Sequence, residues 1–145
     1  MTRAIVIGVM TTLLLVPPQA IAQMVVIVNK ANPVAHISSA KLALYYRGEA
    51  LLWKDGSRAI PVDLNEKNPL VSRFTDTILK MNVETKRQMW MLKLYSGKGS
   101  PPIQFKNEAL VVSFVASEPG AIGYVNKESV NDSVKVLVVD GKPEF

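Results

Sequence analysis

The residues best suited to bind a ligand lie around the start of a predicted helix at Asn68. Asn68 is a good N-cap residue, and Pro69 suits the first helical position. The first turn of a helix presents unpaired backbone N–H groups and a partial positive charge, which together bind small oxyanions without catalytic groups. The alternative interpretation is that Asn68 only caps its own helix. The polar side chains in and around this turn are the candidate ligand-binding residues: Asp63, Asn65, Asn68, Ser72 and Arg73.

Enzymatic chemistry finds little support in the same sequence. His36 is the sole histidine, cysteine is absent, and there is no G-x-S-x-G turn to raise a nucleophilic serine. Paired carboxylates can act as acid and base, but spacing alone does not bring Asp63, Glu66, Glu84 and Glu108 together. Calcium loops of the D-x-D-x-D-G form are also missing. We therefore expect a protein that is not an enzyme and that uses no metal or cofactor.

The elements that must position the candidate site alternate between strands and helices. The chain of 145 residues is long enough for one domain and too short for two ordinary ones. Alternation of this kind predicts an α/β domain with a mixed or mostly parallel sheet flanked by helices. Hydrophobic patterning and capping residues predict strands over 24–28, 59–64, 121–125 and 134–139, and helices over 39–47, 69–81, 84–94 and 108–117.

The same patterning predicts which side chains are buried. Helical spacing places Leu70, Phe74, Ile78 and Met81 on one apolar face of the helix that follows Asn68. The inward residues of the next two helices are expected to be Trp90, Met91 and Leu94, and then Leu110, Val111, Phe114 and Val115. The glycine- and proline-rich stretch 97–102 is expected to be a loop.

The amino-terminal segment has the pattern of a secretory signal peptide. Arg3 precedes an apolar run from Ala4 to Val16, and Pro17 and Pro18 then interrupt it. Small residues at Ala20 and Ala22 occupy the positions that signal peptidase requires. A membrane span needs about 20 apolar residues, so this run is too short to be one. We expect cleavage after Ala22, a single mature domain over residues 23–145 with no membrane span, and a periplasmic or secreted location.

The charge of the chain narrows the choice of partner. The formal net charge is +5, and the basic residues are scattered without a run longer than Lys86-Arg87. A scattered distribution is not typical of a nucleic-acid interface, so no nucleic-acid partner is expected. A modest positive charge favours an anionic ligand or surface, or serves solubility alone.

Several segments, taken in order, resemble the central lobe of phosphate-type periplasmic substrate-binding proteins. The most specific is the GAIGY sequence that precedes Val125. The matching segments are collinear and cover nearly all of the predicted mature chain: Val25 to Pro33, Ile37 to Gly48, Trp53 to Gly56, Ile60 to Asp63, Arg73-Phe74, Gly97 to Gly99 and Pro119 to Val125.

The resemblance implies a single-lobe, type II periplasmic-binding-protein-like fold and a part in phosphate uptake by an ABC transporter, with phosphate or another small oxyanion as ligand. Two features depart from the family. Its members usually have two lobes, and they place a Ser-Gly-Thr turn where this chain has Asn68-Pro69-Leu70. A second interpretation therefore stays open: an interaction module that kept the fold, lost the ligand, and binds a periplasmic protein or a second copy of itself.

Overall fold

The computed structural model describes residues 14–16 and 22–145. Most of the predicted signal peptide, and with it the predicted cleavage motif before Ala22, lies outside the described residues. Within the described part of the chain, no helix is both long and apolar enough to span a membrane.

One mixed sheet of six strands organises the domain. The strands lie side by side in the order β2-β6-β1-β5-β3-β4. Strand β1 is antiparallel to both β5 and β6, whereas β3 is parallel to both β4 and β5, and β2 is parallel to β6. The prediction of an α/β fold with a mixed sheet is therefore confirmed. The strands are β1 (Met24–Asn29), β2 (His36–Ile37), β3 (Ile60–Leu64), β4 (Ile103–Phe105), β5 (Ala121–Asn126) and β6 (Val134–Val139).

In the part of the chain that the structure describes, four α-helices connect these strands, and each begins after a capping residue of the sequence. Ser38, Asn68, Asn82 and Asn107 each accept a hydrogen bond from a backbone N–H of the first turn that follows. The helices are α1 (Ser39–Tyr46), α2 (Pro69–Phe74), α3 (Val83–Tyr95) and α4 (Glu108–Ser117). Helix α2 continues into a π-helical turn over Thr75–Leu79, which ends at Lys80 in the left-handed conformation (φ 56°).

The helices cover both faces of the sheet, as strand β5 shows. Neighbouring residues of a strand point to opposite faces. Gly123 lets α4 come close, because a Cβ there would lie 2.8 Å from Val111 Cγ1. On the other face, the ring of Tyr124 stacks on Phe74 of α2 with centroids 4.0 Å apart. The core is therefore two apolar layers, one on each side of the sheet.

Three details of burial and structure differ from the predictions. Helix α3 buries only Lys86 and Trp90, so Met91 and Leu94 are about half exposed (49% and 55%) instead of buried. In α4 the inward residue is Val112 and not Leu110, because the helix rests on the sheet through Val111, Val112 and Val115. The short strands β2 and β4 were not predicted, since two or three residues carry no periodic signal.

Candidate functional site

The candidate site lies where β3 ends and α2 begins. The turn between them is closed by its own hydrogen bonds: Asn68 N–H donates to the Asn65 carbonyl at 2.8 Å, and Lys67 N–H donates to Asn65 Oδ1 at 3.1 Å. Asn68 is extended (φ −72°, ψ 128°), and its Oδ1 accepts from Leu70 N–H at 2.9 Å. The interpretation of Asn68 as the cap of its own helix is therefore confirmed.

Capping by Asn68 leaves no free backbone N–H group for an anion in the first turn of α2. Pro69 has no N–H, the N–H of Leu70 is bonded to Asn68 Oδ1, and the N–H of Val71 donates to the Asn68 carbonyl at 3.0 Å. Oxyanion binding at a helix start relies on unpaired N–H groups in the first turn. The first three positions of α2 offer none.

Asp63, near the end of β3, is buried and fully engaged by the protein itself. Its side chain is 4% exposed, and Oδ2 accepts from Lys86 Nζ of α3 at 2.8 Å. Oδ1 accepts from Leu64 N–H at 2.9 Å and from the hydroxyl of Tyr124. A buried carboxylate requires such partners, because an unpaired charge away from water is costly. Asp63 thus joins three elements of the fold, and its oxygens are not free for a ligand.

Two tyrosines complete this buried network. Burial raises the pKa of Tyr124, and the neighbouring Asp63 carboxylate raises it further. Burial also raises the pKa of Tyr46, whose hydroxyl donates to the Val62 carbonyl at 2.9 Å. Both phenols therefore stay protonated and act as hydrogen-bond donors at physiological pH.

Arg87 lies next to Lys86 and is also held by carboxylates of the same chain. Its guanidinium donates to Glu66 Oε2 at 2.6 Å and also bonds Glu84. The hydrogen bonds and charge of Glu66 raise the pKa of Arg87. Asp63, Glu66, Lys86 and Arg87 line one cavity of about 180 Å³. With Glu84, three carboxylates face two cations, so this cavity does not present a net positive charge.

The structure separates the five predicted ligand-binding residues. Asp63, Asn65 and Asn68 lie together at the β3–α2 junction. Arg73 lies in the last turn of α2, not at its start, and its guanidinium donates to the Ala22 carbonyl. Ser72 is exposed on the same short helix. That these five residues bind a ligand stays a prediction.

Sequence reasoning missed the residues that neutralise the site. Lys86 and Trp90 are four positions apart and are the two buried residues of α3. A lysine on the same helical face as a tryptophan could have predicted a buried lysine, and a buried lysine requires an acidic partner on a neighbouring element. Tyr124 gave no such signal, because it is 61 residues from Asp63.

The fold is a mixed α/β lobe with helices on both sides of the sheet, and it is similar to solved periplasmic-binding-protein-like structures. No protein-family model matches the sequence. Solved structures with a similar fold are phosphate-binding components of ABC transport systems, so the resemblance read from the sequence is confirmed for the fold.

Three of these structures show the extent of the likeness. An ABC-type phosphate transport receptor from Vibrio cholerae is 17% identical and superposes with a TM-score of 0.67 over 82% of this chain and 46% of its own. A putative phosphate ABC transporter substrate-binding protein from Clostridium perfringens, solved with bound phosphate, is 19% identical, with a TM-score of 0.65, 83% coverage of this chain and 46% of its own. PstS from Borrelia burgdorferi is 16% identical, with a TM-score of 0.65 and coverages of 83% and 48%. The chain thus spans slightly less than half the length of these proteins.

Proposed function

We propose that this chain is an exported, non-enzymatic binding domain that uses a periplasmic-binding-protein-like lobe to engage a protein partner instead of free phosphate. The proposal of export rests on the signal-peptide pattern that ends at Ala22. The single observation that carries the proposal is that Lys86 and Arg87, the two cations that line the cavity at the candidate site, are both bound to carboxylates of the same chain.

Electrostatics argues against a phosphate at this position. An incoming dianion would have to displace Glu66 from Arg87 or face the buried Asp63 carboxylate at close range. Like charges in a partly desolvated cavity repel one another strongly. The capped first turn of α2 adds no free N–H groups to offset that repulsion.

An exposed apolar surface on α3 supports a protein partner. Leu92 and Tyr95 are 72% and 84% exposed, and Met91 and Leu94 are about half exposed. Contiguous exposed apolar surface is typical of sites where another protein binds. Phosphate binding is the second candidate function, favoured by the fold that this chain shares with a phosphate transport receptor and a phosphate ABC transporter substrate-binding protein.

Isothermal titration of the purified protein with phosphate, with sulfate as the control, separates the two functions. Low salt is needed because exposed charge interactions are screened within about 10 Å at 0.1 M ionic strength. We expect no saturable heat with either anion up to millimolar concentration. Saturable binding of phosphate but not of sulfate, in the micromolar range, would overturn the proposal.

A charge variant tests the reason for that expectation. Glu66→Gln removes the main carboxylate on Arg87 while leaving a side chain of the same shape. It is expected to produce weak, salt-sensitive phosphate binding that the wild type lacks. The matched control is Glu118→Gln: Glu118 precedes β5, which runs parallel to β3, and so lies at the opposite end of the strands from the candidate site. Equal behaviour of the two variants would contradict the electrostatic argument.

A further inference from the structure

The edge of the sheet beside α3 carries a surface that we call the β4 surface. It consists of two adjacent grooves of about 210 and 180 Å³ that share Trp90, Pro101 and Pro102. Sites for drug-sized ligands usually measure about 300–1,000 Å³, so each groove suits one side chain better than a small molecule. Half-exposed apolar side chains line the two grooves: Leu51 and Ile103 in the first, and Met91 and Leu94 in the second.

Strand β4 leaves one of its edges unpaired. Among the described residues it is the last strand of the sheet and pairs only with β3. Asn65 N–H donates to the Phe105 carbonyl at 3.0 Å, so the polar backbone groups of Phe105 face β3. The backbone N–H and C=O groups of successive residues face opposite edges of a strand, and those of Gln104 therefore face outward. An extended segment of another chain can pair with such an edge.

Trp90 lines both grooves and lies at the centre of this surface. The residue is only 8% exposed, and a Cβ at Gly48 would lie 2.7 Å from its ring. Its Nε1–H is shielded from solvent, so a bound chain would meet the apolar side chains around Trp90 and not this donor.

The charge around the β4 surface indicates the chemistry of that chain. Arg58 lines the first groove, Lys98 is in the turn after α3, and Lys106 follows β4. None of the three forms an ion pair within the described residues, whereas the charges lining the second groove neutralise one another. A second copy of this chain would bring the same cations face to face, so the surface is complementary to acidic partners and not to itself.

From these observations we infer that the β4 surface binds an extended segment of a partner protein that pairs with β4, places two apolar side chains in the grooves, and carries carboxylates at its ends. The short strand, bounded by Pro102 and Lys106, limits the pairing to the backbone groups around Gln104. This inference rests on the proposed function and names the partner's chemical class.

Selection of peptides against the purified protein tests whether the β4 surface binds such a segment. A random peptide library displayed on phage is selected against the protein, and enriched peptides are measured by fluorescence anisotropy. We expect enriched sequences that combine apolar and acidic residues. Their affinity should fall at least about tenfold in Leu94→Glu, as expected for a central contact, and less, in a salt-dependent manner, in Lys98→Glu and Lys106→Glu. Lys142→Glu, beyond β6 towards the opposite edge of the sheet, is the matched control and should bind as the wild type does.

Amide hydrogen exchange at Gln104 reports the strand pairing directly. Binding of a selected peptide should slow exchange of this amide in the wild type. The inference is overturned if no acidic–apolar peptide is enriched, if Leu94→Glu binds unchanged, if Gln104 exchange is unaffected, or if the protein proves to self-associate through this surface. Peptides that bind elsewhere on the protein would refute binding at the β4 surface but would leave the proposed function intact. Selective phosphate binding would refute the proposed function itself.

Discussion

Removing Lys86 tests whether the buried ion pair organises the candidate site. In Lys86→Met the apolar stem of the side chain is kept, but Asp63 loses the cation 2.8 Å away while remaining 4% exposed. Breaking a buried pair by removing one partner costs about 3–5 kcal/mol. Asp63 keeps its bonds from Leu64 N–H and the Tyr124 hydroxyl, so we expect a loss near the lower value, about 3 kcal/mol. For a domain of this size, that lowers Tm by roughly 10 °C.

Urea denaturation followed by circular dichroism, together with thermal melts, measures this loss. Arg87→Met is the matched control on the adjacent residue, and its Tm should stay close to that of the wild type because its ion pairs are exposed. The double variant Asp63→Leu/Lys86→Met removes both charges and should recover much of the lost stability. A loss below about 1 kcal/mol in Lys86→Met, or a double variant no more stable than the single one, would refute the reasoning.

Gly48, Tyr124 and Asp140 each make a contact whose loss can be measured. Gly48→Ala should destabilise the domain by about 1–2 kcal/mol from the positive φ alone (69°), and more because its Cβ would lie 2.7 Å from Trp90 Cη2; urea denaturation measures this. Tyr124→Phe keeps the stacking on Phe74 but removes the hydroxyl that donates to Asp63. The free energy of unfolding should fall by about 1.5–3 kcal/mol in the same assay. An unchanged midpoint of the urea transition would show that this hydrogen bond does not stabilise the fold. Hydrogen bonds from the side chain and backbone of Ser39 lower the pKa of Asp140. Asp140 therefore stabilises the fold above its unfolded pKa of about 3.9, and this contribution is lost as the pH falls through the lower folded pKa. The Tm difference between wild type and Asp140→Asn should be present at neutral pH and vanish in strong acid.

Local signals predicted the parts of the fold that local chemistry decides. The caps at Ser38, Asn68 and Asn107 were read correctly, because a side-chain acceptor before an apolar helical pattern has few other roles. Strand β4 could not be predicted, since three residues after two prolines have no periodicity. The exposure of Leu94 was also missed, because helical spacing identifies an apolar face but not whether the rest of the domain covers it.

The elements that flank the candidate site were predicted, but the contacts between its side chains were not. The end of β3 and the start of α2 were located from a strand pattern and an Asn-Pro pair. That Asp63 is paired with Lys86 depends on two elements meeting across 23 residues of chain, and no local rule encodes that meeting. The same sequence feature, an acid after a strand, fits both an open ligand site and a closed structural pair. Only the tertiary contact distinguishes them.

In the proposed function, Lys86 and Arg87 are occupied by carboxylates of the same chain, and the protein does not bind free phosphate. The most direct measurement is a ¹H–¹⁵N NMR titration of the wild-type protein with phosphate, matched in ionic strength by chloride. We expect the amide resonances near the cavity to shift no more with phosphate than with chloride; they are those of Asn65, Asn68, Leu70, Lys86 and Arg87. A saturable, phosphate-specific shift of these amides would contradict it.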